Sequence, residues 1–134
     1  MLFIDAGAWV ALYIVRDENH ERAEQAWARL RRDRPPLLTS NLVIAEVATL
    51  LMRRLGAEVA VERVRRIYRS SAIQIIRSTE EDEMNALVRM VKYADQYVGF
   101  VDCVSFVLME RLVADTAFTF DHHYSIAGFK MWPE

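Results

Sequence analysis

The sequence predicts an α/β fold in which helices cover both faces of a parallel sheet. Two observations lead to this prediction. Short, uniformly apolar segments alternate along the chain with longer segments in which apolar residues recur at helical spacing. The short segments lack the apolar–polar alternation of strands with one solvated face, and strands buried on both faces are typical of parallel sheets. Because the chain has 134 residues, of which 53% are hydrophobic, we expect one domain spanning residues 1–134.

The first elements follow from breaks in the apolar pattern. Residues Leu2–Ile4 are apolar and end at Asp5, which predicts a short buried strand. Residues 8–15 are apolar on all sides and predict a buried helix. Asp17 can cap a second helix, which ends before the Pro35–Pro36 pair because proline cannot continue the helical hydrogen bonds. The apolar face of this second helix consists of Ala23, Ala26, Trp27 and Leu30.

The middle of the chain repeats this order of strand and helix. Residues 37–39 predict a strand, and either Ser40 or Asn41 can cap the helix predicted at residues 42–54. Gly56 ends that helix, since glycine tolerates the backbone conformation of a helix terminus. A further amphipathic helix has its apolar residues at Ala60, Val61, Val64, Ile67 and Tyr68.

The last part of the chain completes the pattern. Residues 72–76 predict a buried strand, and Ser78 and Glu81 have the spacing of a capping box that opens the next helix. The apolar residues of this helix form one stripe, at Met84, Leu87, Val88 and Val91. The remaining predicted elements are a long apolar helix, a strand and a short tail strand, at residues 101–113, 116–120 and 129–132.

Composition excludes several classes of protein. A single cysteine, Cys103, excludes an internal disulfide and a cysteine-rich zinc module. The four glycines are far apart in the sequence, which excludes the glycine-rich loops that bind nucleotide phosphates. No apolar run is long enough to cross a bilayer, and no basic leader precedes the first apolar segment. We therefore expect a soluble, cytoplasmic protein.

Four carboxylates interrupt the apolar pattern. Asp5 directly follows the first predicted strand, and Asp121 directly follows the strand predicted at residues 116–120. In open parallel sheets, ligands bind beyond the carboxyl ends of the strands, so both acids are expected at such a crevice. Glu46 has leucine and valine as its helical neighbours, which predicts a place on the buried stripe of its helix. Asp102 lies in the otherwise apolar start of the helix predicted at residues 101–113.

Taken singly, three of these acids have an ordinary structural explanation. Asp5 and Asp102 could cap the helices that follow them, and Asp121 could begin a turn. Glu46 has no such role, because it lies in the middle of a helix. Together the four acids predict one site, since unpaired carboxylates in apolar surroundings are costly and converging ones repel each other.

A hard divalent cation would resolve that repulsion. A set of oxygen ligands without cysteine suits Mg²⁺ or Mn²⁺, and such ions assist the hydrolysis of phosphodiesters. The formal net charge of the chain is −2, so the chain without these four carboxylates carries +2. A mildly positive surface around an acidic pit is compatible with a polyanionic substrate.

The segments around these acids resemble PIN-domain ribonucleases, and among them the VapC-type toxins of prokaryotic toxin–antitoxin pairs. The resemblance covers essentially the whole chain. Its landmarks are LFID at 2–5, TSNLVIAEV at 39–47, FVDCVSFVLM at 100–109, AFTFDHHY at 117–124 and AGF at 127–129.

The resemblance implies a three-layer α/β/α sandwich and Mg²⁺- or Mn²⁺-dependent cleavage of RNA. It assigns metal binding and catalysis to the four acids Asp5, Glu46, Asp102 and Asp121. It also implies a homodimer that is held inactive by a small VapB-type antitoxin.

One departure from the family pattern keeps a second hypothesis open. Ala6 and Gly7 follow Asp5, where the family often carries serine or threonine. Without that hydroxyl, either Asp5 or a metal-bound water could be less firmly oriented, and this supports the alternative of a weak or inactive PIN-like module that binds RNA or protein. The four intact acids favour the enzyme instead.

Two adjacent histidines, His122 and His123, do not predict a zinc site. Adjacent residues of a helix point about 100° apart, so both rarely bind one ion. Surface or supporting roles are predicted for them.

Overall fold

Strands and helices alternate along the chain, as the apolar pattern predicts. The computed structural model describes residues 1–134. It contains five strands, seven α-helices and one 3₁₀ turn at Ala94–Gln96. In chain order the strands and helices are β1 (Leu2–Ile4), α1 (Ala6–Tyr13), α2 (His20–Asp33), β2 (Leu37–Ser40), α3 (Asn41–Leu55), α4 (Ala57–Arg69), β3 (Ile73–Ile76), α5 (Glu80–Lys92), α6 (Phe100–Arg111), β4 (Thr116–Phe118), α7 (His123–Ile126) and β5 (Lys130–Trp132).

All five strands belong to one parallel sheet, in the order β3-β2-β1-β4-β5. In the middle of the sheet Phe3 lies opposite Leu38 of β2 and Ala117 of β4. All three residues of β1 are buried, so both faces of the central strand are covered. The parallel α/β fold predicted from the apolar segments is confirmed.

The helices form two layers. On one face α1 packs against α2 and α3, and α3 packs against α4, whereas α5 packs against α6. The chain runs outward from β1 to β3 and then returns to place β4 beside β1. Because crossovers between parallel strands are right-handed, this reversal puts α5 and α6 on the opposite face from α1–α4. The reversal also makes the gap between β1 and β4 the point where ligands bind in sheets of this kind.

The residues before α2 and α3 show which of the predicted helix caps form. The Ser40 hydroxyl accepts a hydrogen bond from the Val43 amide at 3.1 Å, so Ser40 rather than Asn41 caps α3. The predicted cap of α2 is wrong. Asp17 instead accepts a hydrogen bond from the Asn19 amide at 2.9 Å, which forms a turn before α2 begins at His20.

The capping box of α5 is shifted by one residue from the predicted one. Ser78 and Glu81 do not form it. The Thr79 hydroxyl accepts a hydrogen bond from the Asp82 amide, and the Asp82 carboxylate accepts one from the Thr79 amide. The Ser78 hydroxyl donates to Glu83 at 2.8 Å instead, so it is not available as a cap.

Two boundaries bear on the site. Helix α1 begins two residues earlier than predicted because Asp5 caps it, accepting a hydrogen bond from the Ala6 amide. Strand β4 ends at Phe118 rather than at residue 120, and its last carbonyl accepts a hydrogen bond from the Asp5 amide. Asp121 therefore lies three residues beyond β4, not directly after it as predicted.

The apolar stripe of α5 faces solvent. Its four residues, Met84, Leu87, Val88 and Val91, are between 44% and 78% exposed. The side of α5 that is buried carries Asp82 and Ala86. No helix of the structure combines the length and the apolar character needed to cross a bilayer.

Candidate active site

A cavity of about 450 Å³ opens where β1 and β4 end. Its lining includes all four acids that the sequence singled out, Asp5, Glu46, Asp102 and Asp121. Asp5 follows β1, Glu46 lies on α3, Asp102 lies in the first turn of α6, and Asp121 follows β4. The fold thus brings together residues that are as much as 116 positions apart in the sequence.

Asp5 is buried and is held by three hydrogen bonds. Its Oδ1 atom accepts from the Ala6 amide at 2.7 Å and from the Tyr124 hydroxyl at 3.1 Å, and its Oδ2 atom accepts from the Thr119 hydroxyl at 2.9 Å. Burial raises the pKa of Asp5, these hydrogen bonds lower it, and the charge of Asp121 raises it further, with a net rise. Although no hydroxyl follows Asp5 in the sequence, side chains from the other end of the chain orient its carboxylate.

Thr119 connects two of the acids. Its hydroxyl donates to Asp5 and accepts from the Asp121 amide at 3.0 Å. Thr119 itself is buried, so this arrangement is shielded from water. Asp5 and the backbone of Asp121 therefore keep a constant relative position.

Glu46 is exposed at the cavity rather than buried on the stripe of its helix. The buried face of α3 is formed by Val43, Ile44, Val47 and Leu51. Glu46 lies beside that face, toward the open cavity. The prediction that it is buried was therefore wrong, although its helical neighbours are apolar. Partial desolvation, and after it the charge of Asp5, raises the pKa of Glu46.

Asp102 has the most perturbed titration of the four acids. Its pKa is raised from 3.8 to about 8, first by burial and then by the charges of Asp5, Asp121 and Glu46. Gly99 occupies the N-cap position of α6, so Asp102 does not cap its own helix. Its carboxyl group keeps a proton near neutral pH unless a cation is present.

His123 lies beside two of the acids, which the sequence interpretation did not foresee. Its Nδ1 atom is 3.2 Å from Asp121 Oδ1 and 3.9 Å from Asp102 Oδ2. The His122 side chain is 74% exposed and approaches only Asp121. The spacing of adjacent helical residues predicted that the two rings diverge, but their centroids are 4.7 Å apart and His122 lines the cavity. The ring of His123 is the one whose Nδ1 atom lies near both Asp102 and Asp121.

The lining of the cavity is rich in carboxyl groups. Its lining adds Asp17 to the four acids and contains no lysine or arginine. One oxygen each of Asp102 and Asp121 and a nitrogen of His123 lie within 4.8 Å of one another, close enough to share one ion. This donor set fits a divalent cation, because a cation would offset the mutual repulsion that, after burial, contributes to the raised pKa values of Asp5, Glu46 and Asp102.

Comparisons with known proteins agree with this geometry. The PIN domain family model matches residues 2–130, and PIN-domain nucleases depend on divalent metal ions. The 23S rRNA-specific endonuclease VapC20 of Mycobacterium tuberculosis, in strains CDC 1551 and H37Rv, is 35% identical over 130 residues. The alignment covers 96% of this chain and 95% of that relative.

A solved structure matches over the same extent. The crystal structure of Mycobacterium tuberculosis VapC20, a sarcin-ricin loop cleaving toxin, has a TM-score of 0.87 and 33% sequence identity, and 96% of each chain is covered. This chain therefore belongs to the PIN-domain family and, within it, resembles the VapC-type toxins along its whole length.

Proposed function

We propose that Asp5, Glu46, Asp102 and Asp121 hold Mg²⁺ or Mn²⁺ and that this site hydrolyses RNA phosphodiester bonds. The observation that carries the proposal is the cavity itself, which all four carboxylates line and which no lysine or arginine enters. The raised pKa values of Asp5, Glu46 and Asp102 support the proposal, because a bound cation would favour the ionised form of each carboxylate.

We assign different roles in the reaction to three of the acids. A bound divalent cation supplies activation of water and neutralisation of charge on the phosphoryl group. Asp5 offers a carboxylate whose orientation is set by three hydrogen bonds. Asp102 keeps a proton near neutral pH and releases it when a cation is present. Glu46 is exposed to the open side of the cavity, where the scissile phosphate can approach.

RNA must approach this acidic cavity despite its charge. Arg22 offers a cation at its edge, since its guanidinium lies 5.0 Å from the centre of the Phe120 ring, and Phe120 lines the cavity. An exposed arginine beside the site can contact a phosphate of the RNA backbone.

The first substrate to test is a structured ribosomal RNA loop. The relative of known structure is described as cleaving the sarcin–ricin loop, and the curated relatives are named as specific for 23S rRNA. The similarity along the whole chain supports the same class of substrate here.

Family membership supports two protein partners in the cytoplasm. One is a small VapB-type antitoxin that covers the site. The other is a second copy of this chain, and the exposed apolar stripe of α5 (Met84, Leu87, Val88, Val91) offers a surface for it. A sedimentation measurement should give about twice the mass of the 15.6 kDa chain.

Cleavage of RNA by protein freed of any bound partner tests the enzymatic function. A synthetic sarcin–ricin loop and total RNA are incubated with the protein and Mg²⁺, Mn²⁺ or EDTA, and Asp5→Asn serves as the control for contaminating nucleases. Discrete fragments that require the cation and are absent with Asp5→Asn support the proposal. Binding of RNA without any cleavage in either cation would favour the non-cleaving module.

A further inference from the structure

His123 presents a buried nitrogen that has no hydrogen-bonding partner. Its Nδ1 atom is inaccessible to solvent and makes no hydrogen bond, although the side chain as a whole is 20% exposed. A buried polar atom without a partner destabilises the folded protein, so such atoms are rare unless they serve a ligand.

Two carboxylate oxygens lie near that nitrogen. They are Oδ1 of Asp121 and Oδ2 of Asp102, at 3.2 and 3.9 Å. Asp121 Oδ1 already accepts a hydrogen bond from the His123 backbone amide at 2.9 Å. When Nδ1 carries no proton, its lone pair faces two carboxylates, and a cation bound among these atoms would accept the lone pair and offset the two charges.

The backbone holds this arrangement in place. The hydrogen bond from the His123 amide to Asp121 closes a short turn, which fixes the direction in which the His123 side chain leaves α7. His122 lacks this placement, because it is mostly exposed and its Nδ1 atom lies 3.8 Å from Asp121.

We propose that His123 Nδ1 is a nitrogen ligand of the cation at Asp102 and Asp121, and that it makes the site prefer Mn²⁺ to Mg²⁺. Transition-metal ions accept imidazole nitrogen, whereas Mg²⁺ is bound almost entirely through oxygen. The inference rests on the proposed function, since it concerns the same cation, but it adds a ligand and a metal preference that the four acids alone do not determine.

Electron spin-echo spectroscopy of the Mn²⁺-loaded protein tests this directly. A coordinated imidazole nitrogen modulates the echo of Mn²⁺, and this readout does not depend on catalysis. We expect nitrogen modulation in the unmodified protein and in His122→Gln, and its loss in His123→Gln. Modulation that persists in His123→Gln, or that is absent from the unmodified protein although Mn²⁺ binds, would overturn the assignment.

Titrations with the two ions give an independent measure. His123→Gln should raise the Kd for Mn²⁺ about tenfold and change the Kd for Mg²⁺ less than about twofold, because only the nitrogen ligand is lost. Equal changes for both ions would refute the preference. If the unmodified protein binds Mn²⁺ without nitrogen modulation, only this inference fails. If it binds neither ion, the proposed four-acid site fails as well.

Discussion

In the absence of divalent cations, the Asp102 carboxyl group should destabilise the folded protein increasingly as pH rises. Its pKa is raised from 3.8 to about 8 in the folded state, by burial and by the charges of the other three acids. Below about pH 4 the group is protonated in both states and has no effect. Between about pH 4 and pH 8 the unfolded chain ionises freely and the folded chain does not, so rising pH favours unfolding. Above this range the effect levels off.

The size of the effect follows from the width of that range. Each pH unit within it costs about 1.4 kcal/mol, so the free energy of unfolding should fall by about 4 kcal/mol between pH 5 and pH 8. The side chain is only 22% exposed, so solvent screening reduces this little. A loss of this size is a large part of the roughly 5–15 kcal/mol that stabilises a domain. Asp102→Asn should remove this dependence and be more stable than the unmodified protein at pH 8.

Urea unfolding in EDTA at a series of pH values measures the difference between the two proteins. Subtracting one free energy from the other isolates Asp102, because the remaining titrating groups are common to both. Asp115→Asn is the matched control, since Asp115 is an exposed carboxylate whose pKa is lowered by the Thr116 hydroxyl and by Lys130. With Mn²⁺ at about 100 times its Kd, the stability advantage of Asp102→Asn at pH 8 should shrink by about 2.7 kcal/mol, because the ion stabilises only the protein that binds it.

The reasoning would be refuted by a free-energy difference between Asp102→Asn and the unmodified protein that does not grow from pH 5 to pH 8. Equal stabilisation of both proteins by Mn²⁺ would also refute it, because binding of the cation would then not depend on Asp102.

Three further substitutions separate catalysis, positioning and stability. Glu46→Gln should lower the cleavage rate about 100-fold or more. Its urea midpoint near neutral pH should equal or exceed that of the unmodified protein, because a carboxylate with a raised pKa is removed. A variant that does not fold would contradict this. Thr119→Val should weaken Mn²⁺ binding in calorimetry about 10- to 100-fold, because Asp5 loses a hydrogen bond, and unchanged affinity would show that the bond is dispensable. Asp82→Ala should reduce the free energy of unfolding by about 2–3 kcal/mol, since Asp82 caps α5 and pairs with Arg111. Its affinity for Mn²⁺ should be unchanged, and a loss would indicate that α5 supports the site.

Local patterns in the sequence were sufficient to predict the class of fold. A run of apolar residues such as Leu2–Ile4 predicts a buried strand wherever it lies, because burial on both faces requires only that neighbouring residues be apolar. Details that depend on one residue were less predictable. Ser78 with Glu81 and Thr79 with Asp82 have the same spacing. Which pair forms the capping box depends on which residue is the last one with extended backbone before the helix, and here that residue is Thr79.

The four acids could be found in the sequence because each breaks an apolar pattern, and their role as metal ligands stays a proposal. The exposure of Glu46 could not be read in the same way. Its neighbours on α3 are apolar, but the cavity lies beside them, and only the packing of α3 near α6 opens it.

The sequence by itself determined the parallel α/β fold and the set of acids, because both depend on residues that are close together in the chain. The tertiary structure decided what those acids touch. Thr119 and Tyr124 hold Asp5 because β4 returns to lie beside β1, and His123 faces Asp102 because α7 follows that strand. Contacts between residues more than 100 positions apart depend on the order of the strands, and no spacing along the chain records that order.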